Sequence, residues 1–387
     1  MDKKYKIALL DDMLPPYRLP LYEYLNTANP SIKLEIILSS LKQNDRSWSI
    51  DKNNLSSPIH ILDGFYINIK TKFSRMGNYH LHINFSILKL LSKKKYDAVI
   101  ISGYSSLTHQ ISIIVCKILR IPVILWYRSF SESPSFLRKI LNIYLYRLIK
   151  MASYYVVPGA KSESYLANVG ISKNKISKIA NTVDNNYFDT QYSKMLNNKK
   201  LKVKKRITIL FVGRLMESKG VWELLNAMTQ INSIYSTNKV ELKIVGDGTL
   251  SKQLKSWVSK HDLINIHFLG HLDKEDLCHE YFNTDIFVLP SHYEPWGLVV
   301  NEAMIFHLPI IATNTIGAAD EIIFNNKNGY LIEPKNSNLL ASKLKSLIDD
   351  KSKRISMGEN SAKIIKEIDH IRSGDIILET FHKIFSN

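Results

Sequence analysis

Cysteine is scarce in this sequence. Cys116 and Cys278 lie in opposite halves and in no metal-ligand spacing. That excludes a disulfide-stapled scaffold and a cysteine-based zinc module, and it points to a reducing compartment. Long apolar runs are missing as well. The most apolar stretch, 111–127, is interrupted by Lys117 and Arg120 and broken by Pro122, so it reads as a helix followed by a buried strand. The short apolar run near the N-terminus closes on Asp11 and Asp12, too soon for a secretory leader, and is expected as a first β-strand. With 15 glycines and 12 prolines the chain is neither low-complexity nor collagen-like, and no repeat of fixed period occurs.

Acidic residues are the minority, 35 against 52 Lys and Arg, giving a net charge of +17. The excess is uneven: residues 1–190 carry +13 and the remainder +4. A basic first half suits anionic partners such as nucleotide phosphates, nucleic acid or an anionic membrane surface, with a merely solvated basic face as the alternative.

A chain of 387 residues is too long for one ordinary core, and 45% hydrophobic with 22% charged residues suits a soluble globular protein. Aliphatic runs expected as strands fall at 6–10, 33–38, 98–102, 122–126 and 154–158. Helix-period segments lie between them at 20–27, 81–93, 107–119 and 135–151. A second series has strands at 206–212, 241–245, 265–269, 286–290 and 309–312, with helices at 220–234, 250–261, 274–282 and 298–306. Such alternation implies α/β architecture with parallel sheets, and ligands at the carboxyl ends of the strands. The expected division is a first domain over 1–188, a lysine-rich linker over 189–205, and a second domain over 206–365. A terminal helix over 366–387 is expected to pack back on the first domain.

Three segments carry candidate chemistry. In 291–304, SHYEPWGLVVNEAM, a strand ends, a loop follows and a helix opens near Gly297. Backbone N–H groups at Gly297 and Leu298 then face an incoming anion. Glu294 stands before the helix and Glu302 about a turn inside it, both able to accept from sugar hydroxyls; two solvated glutamates are the plain alternative. In 212–220, VGRLMESKG, Gly213 permits close backbone approach while Arg214 and Lys219 offer a forked and a point-like cation for a diphosphate. Two surface cations on a loop would look the same. The turn 245–248, VGDG with Gly246, is a further strand-to-helix glycine turn and by itself only a connection.

In this order, and followed by GAADEI at 317–322 and NGYLIEP at 328–334, these segments resemble the family-4 retaining glycosyltransferases, the glycosyl transferases group 1. PPYRLPL at 15–21 and NTVD at 181–184 support the same resemblance in the first half. The resemblance implies the GT-B fold, two Rossmann-like doubly wound domains facing a central cleft. It implies that Arg214 and Lys219 bind the donor diphosphate and stabilise the leaving group, and that Glu302 holds the ribose. Glu294, with the amides of Gly297 and Leu298, would hold the transferred sugar and its phosphate, and the backbone around Gly270 and Leu272 would read the base. Preorganised cations and amides would then meet the charge that builds as the nucleoside diphosphate departs. No D-x-D occurs, in keeping with a metal-independent site, and no cofactor is expected beyond the nucleotide-sugar co-substrate.

The chain departs from the family on the acceptor side. Pro15-Pro16-Tyr17-Arg18 stands where many members carry a glycine pair, and Trp126-Tyr127-Arg128 where many carry a histidine. Tyr17, Arg18, Arg128 and Glu132 are the candidate substitutes, with His109 a weaker one. His307 replaces a glycine common after the second glutamate's helix and is assigned no role. Segment 135–151 has Leu137, Ile140, Leu141, Tyr144, Leu145 and Leu148 on one side, flanked by Arg138, Lys139, Arg147 and Lys150. It reads either as a core helix or as a basic amphipathic helix on an anionic membrane, and Lys93-Lys94-Lys95 adds to the latter. The expected protein is a cytoplasmic bacterial glycosyltransferase, peripheral on the inner face of the cell membrane. It would move a hexose-type sugar from a UDP- or GDP-sugar to a saccharide acceptor, lipid-linked, in surface polysaccharide synthesis. A nucleotide-sugar epimerase and a basic nucleic-acid-binding protein are the competing classes; no nucleic-acid module is visible.

Overall fold

The computed structural model describes residues 4–41, 55–69, 79–128, 136–198 and 206–386. It divides into two compact units, Met1–Asn181 with His370–Asn387, and Thr182–Asp369. The first unit contains strands β1 (Tyr5–Asp11), β2 (Ile32–Leu38), β3 (Ile59–Ile61), β4 (Phe65–Ile69), β5 (Tyr79–Ile83), β6 (Ala98–Ile101), β7 (Val123–Trp126), β8 (Tyr154–Pro158) and β9 (Ile176–Ile179). Seven of them make one parallel sheet in the order β3-β2-β1-β6-β7-β8-β9, so the chain reverses direction of travel between β1 and β6. Ligand loops belong at such a switch point.

Residues of β1 alternate between two cores, Ala8 and Leu10 on one face and Ile7 and Leu9 on the other. Helices α2 (Ser86–Lys94), α3 (Leu107–Ile118), α4 (Phe136–Ile149) and α5 (Gly159–Asn168) close the first face through Leu91, Ile113, Leu148 and Leu166. The preceding helix α1 (Leu19–Thr27) closes the other with Leu21, Tyr22 and Leu25. The helix expected over 81–93 starts later, because residues 79–83 pair antiparallel with β4 instead. Asn84 marks the change, its side-chain amide donating to the carbonyls of Ser39 and Leu62.

The second unit runs α6 (Asn185–Asn197), β10 (Ile207–Val212), α7 (Val221–Ile234), β11 (Val240–Val245), α8 (Ser251–Lys260), β12 (Ile266–Gly270), α9 (Lys274–Phe282), β13 (Ile286–Leu289), α10 (Leu298–Ile305), β14 (Ile310–Thr313), α11 (Ala319–Ile322), β15 (Gly329–Ile332), α12 (Ser337–Asp349) and α13 (Lys351–Lys366). Its parallel sheet has the order β12-β11-β10-β13-β14-β15, with the reversal between β10 and β13. Of the linker expected over 189–205, the described part, 189–198, belongs to or closes α6. Asp184 caps α6 by accepting from the Tyr187 amide, and Tyr192 packs edge-on against Phe282 and Phe306 and stacks on His307. Those aromatic contacts make α6 part of the second unit, and the division falls at Asn181 and Thr182.

The last helix, α14 (His370–Phe385), lies in the first unit. Ile377 and Phe381 enter its core, Tyr5 stacks on Phe385 at 3.8 Å, and Tyr24 Oη donates to Asp375 at 2.6 Å. Burying a side chain such as Phe381 is worth about 2–3 kcal/mol. Gly374 is required at this crossing, since a Cβ there would lie 2.3 Å from the Tyr24 ring. Cys116 and Cys278 are both buried free thiols, and burial pushes each up to about 12. No helix among the described residues is long and apolar enough to cross a membrane.

Candidate active site

The loops that follow β12, β11, β10 and β13, four adjacent strands, bring the sequence candidates of the second unit to one edge of its sheet. They are stitched to one another through backbone. Gly213 N donates to Val245 O at 3.0 Å, Leu215 N to Asp247 O at 2.9 Å, and Gly246 N to Gly270 O at 2.6 Å. Gly246 holds φ 124°, and a Cβ there would stand 2.0 Å from the Gly213 carbonyl oxygen. The VGDG turn is therefore more than a connection: its missing side chain lets the 213–215 loop close over it.

The same holds across the switch point. Gly220 has φ 66°, and an added Cβ would lie 2.0 Å from Pro290 O. His292 N donates to Ser218 O at 2.8 Å, and the His292 ring meets Glu223 Oε1 of α7 at 2.9 Å. The loop after β13 is fixed in turn by Gly317 N donating to Glu294 O at 2.9 Å and Ala318 N to Trp296 O at 3.0 Å. Trp296 Nε1 donates to Asn301 Oδ1 of α10 at 2.9 Å in buried surroundings.

Within this frame Lys219 and Glu294 form an ion pair, each largely shielded from solvent. Arg214 is exposed one strand-loop residue beyond Gly213. Gly297, at φ 96°, precedes α10, whose first-turn amides at Leu298 and Val299 have no carbonyl partner within the helix. Arg214, Lys219 and the N-terminus of α10 thus share the carboxyl edge of one sheet, the kind of place where anions bind. Gly270, at φ 72°, has open space on its Cβ side, with Leu272 half-buried just beyond.

Glu302 lies one turn inside α10 and points toward α9 instead of toward Lys219. It accepts from Tyr281 Oη at 2.8 Å. Burial pushes its carboxyl up to about 7, although the Tyr281 hydrogen bond and the Lys274 ammonium oppose this. Lys274 itself sits 3.6 Å from the centre of the Tyr187 ring, and burial lowers its pKa. Sequence reading missed Tyr281, Lys274 and the His292–Glu223 contact. All three depend on which helix faces touch, and only the aromatic-rich spacing of α9 hinted at one.

With the geometry in place, comparison with known proteins is decisive. A family model described as glycosyl transferases group 1 matches residues 194–364. The capsular polysaccharide biosynthesis glycosyltransferase CapM of Staphylococcus aureus is 29% identical over 210 residues, 53% of this chain and 50% of CapM, so the chain spans about half the length of that relative. The N,N'-diacetylbacillosaminyl-diphospho-undecaprenol alpha-1,3-N-acetylgalactosaminyltransferase of Campylobacter jejuni is 25% identical over 272 residues, 68% of this chain and 69% of that enzyme. The chain belongs to the glycosyl transferases group 1 family. Its fold is GT-B: the structure of Anabaena Alr3699/HepE, solved in complex with UDP, superposes with a TM-score of 0.74 at 19% identity, covering 98% of this chain and all of that one.

In this family member Tyr17, Arg18, His109 and Arg128, four of the candidates from the first half of the sequence, gather at the carboxyl edge of the first unit's sheet, though not as equals. Arg18 is 3% exposed and sealed in: its Nη1 donates to Asp11 Oδ2 at 2.9 Å and Ser102 Oγ at 2.8 Å, and its guanidinium lies 4.3 Å from the Trp126 ring centre. Burial pushes the Asp11 carboxyl up, but Arg128 and Arg18 outweigh it and hold the pKa below the usual range. Arg18 is thus a partner of Asp11 and Trp126 before it is a ligand group. Arg128 donates to the Ser102 carbonyl, stands 3.8 Å from Asp11 and keeps a third of its side chain exposed. His109 is 1% exposed, with Nε2 3.4 Å from Asp12 Oδ1. Tyr17 is half-buried over Arg18. Glu132 lies outside the described residues. Asp11, Asp12 and Ser102 were not singled out from sequence, although two aspartates ending the first strand are a legible sign.

Proposed function

We propose that this chain is a retaining, metal-independent transferase that moves a hexose-type sugar from a UDP- or GDP-sugar to a saccharide acceptor carried on a lipid. The setting is bacterial surface polysaccharide synthesis at the inner face of the cell membrane. The observation that carries the reading is the stitched set of loops after β10 and β13, which puts Arg214, Lys219, Glu294 and the start of α10 on one sheet edge. As the C1–oxygen bond of the donor sugar breaks, charge builds on the departing diphosphate. Arg214, Lys219 and the Leu298 amide stabilise it without a metal ion. Glu294 holds the sugar, Glu302 the ribose, and the turn at Gly270 and Leu272 the base. HepE supports a nucleoside diphosphate as the ligand class, and the undecaprenol-linked substrate named for the Campylobacter relative supports a lipid-linked acceptor. Arg128 and Tyr17, partly exposed on the first unit's ligand edge, are the acceptor contacts in this reading.

The test is a nucleotide-sugar panel scored for slow donor hydrolysis and thermal shift, with and without EDTA. One UDP- or GDP-sugar should both stabilise and be hydrolysed, unaffected by the chelator. A donor epimer appearing without acceptor would overturn the reading in favour of an epimerase. Activity abolished by EDTA and restored by manganese would overturn the metal-independent site.

A further inference from the structure

Asp12 follows β1 and His109 lies in the first turn of α3, and the two meet at the carboxyl edge of the first unit's sheet. The Ser106 hydroxyl caps α3 by accepting from the His109 amide at 3.2 Å, which fixes where the imidazole starts. His109 Nε2 stands 3.4 Å from Asp12 Oδ1, just beyond a well-formed hydrogen bond. Among the described residues, neither Asp12 Oδ1 nor either ring nitrogen of His109 has a hydrogen-bond partner, and all three atoms are buried. The hydroxyl of Ser39, just after β2, is in the same state, and the next amide, Ser40 N, donates to the Asp12 carbonyl at 3.0 Å. Buried His82 of β5 shares the neighbourhood: burial lowers its pKa, which Asp12 opposes and His109 and His80 reinforce. Buried polar atoms are nearly always paired, so a group of them at a ligand edge marks a missing partner.

Asp12 is not sealed as His109 is. Its side chain is 24% exposed, and because Oδ1 is buried that exposure belongs to the rest of the group. His109 therefore stands behind a carboxylate whose other side is open. The charges around it cancel: the guanidinium groups of Arg18 and Arg128 face the carboxylates of Asp11 and Asp12, and Arg128 also donates to the Ser102 carbonyl. This edge thus lacks the positive excess that would draw a phosphate. We infer that Asp12 recognises a hydroxyl of the acceptor saccharide, with His109 as the positioning residue behind it. An ionised carboxylate only accepts, and a sugar hydroxyl is the donor that suits it. Such contacts are often long in a free protein and tighten when the ligand arrives, which closes the gap between Asp12 and His109. The inference deepens the transferase reading and rests on it for the choice of a saccharide.

Saturation-transfer NMR on the full chain tests it, with the methyl pyranosides of glucose, galactose, mannose, N-acetylglucosamine and N-acetylgalactosamine as probes. At least one should bind, and Asp12→Asn, which keeps the shape, and Asp12→Ala should each weaken it by about ten-fold. His109→Leu should weaken it by about five-fold, and His109→Gln, which keeps a donor amide, should recover most of that loss. Inorganic phosphate at equal concentration should not displace the saccharide. Binding by none of the probes, or displacement by phosphate, would overturn the inference. So would unaltered binding in both Asp12 variants, which would leave the buried atoms to a trapped water. A His109→Leu protein with a lowered thermal melt but wild-type saccharide affinity would overturn the positioning role. Thermal shift by UDP or GDP reports separately on the donor reading. Saccharide binding without a nucleotide shift would sink the transferase reading alone, and a nucleotide shift without saccharide binding would sink this inference alone.

Discussion

Lys219 and Glu294, 75 positions apart, meet as an ion pair across the loops that follow β10 and β13. The cation assigned to the diphosphate and the carboxylate assigned to the sugar therefore hold each other in register. Substituting Lys219→Ala or Arg214→Ala should each remove a charge-assisted contact of about 1.5–3 kcal/mol, a ten- to hundred-fold loss in kcat/KM with the fold intact. Glu294→Ala should lower kcat more than it weakens calorimetric binding of the free nucleoside diphosphate. Full activity in the Arg214 and Lys219 variants would refute their assignment.

Glu302 should make stability and nucleoside diphosphate binding depend on pH in opposite directions. Its carboxyl keeps a proton to about pH 7 in the folded chain, against an ordinary value of 4.5. The folded state therefore binds more protons between these limits, and stability should fall as pH rises through that window, by up to about 3 kcal/mol. Nucleoside diphosphate binding should instead strengthen toward and above pH 7, as the carboxylate forms and accepts the ribose hydroxyls. Glu302→Gln should flatten both profiles, read by urea denaturation and calorimetry. Tyr281→Phe should move the binding profile to higher pH, since the hydroxyl it removes favours the charged form. An unchanged profile in Glu302→Gln would place the titrating group elsewhere.

Two glycines of the ligand loops should respond very differently to the same change. Gly246→Ala meets the Gly213 carbonyl at a φ of 124° and should cost roughly 2–4 kcal/mol, measured as a shift in the denaturation midpoint. Gly270→Ala, at φ 72° with open space around it, should cost only about 1 kcal/mol of backbone strain. Comparable costs at both positions would contradict the close packing of the 213–215 and 245–248 loops.

Alternating aliphatic runs and helical periods were enough to specify two parallel α/β sheets, because strand and helix formation follow local pattern. The motifs also placed Arg214, Lys219, Gly246, Gly270, Glu294 and Gly297 at or after strand ends, where a parallel sheet presents its loops, and Glu302 inside the helix that follows. Local pattern failed where a distant partner decided the outcome. Residues 79–83 are a strand because residues 65–69 lie beside them, and α6 leaves the linker because Phe282, Phe306 and His307 receive Tyr192. Only tertiary structure sealed Arg18 against Asp11 and Trp126, turned Glu302 toward Tyr281, and set His109 behind Asp12. A carboxylate or cation carries no mark in the sequence of how much water it will lose. Its desolvation and its partners are set by chain segments that meet only in the folded state, which is why the residues were legible and their environments were not.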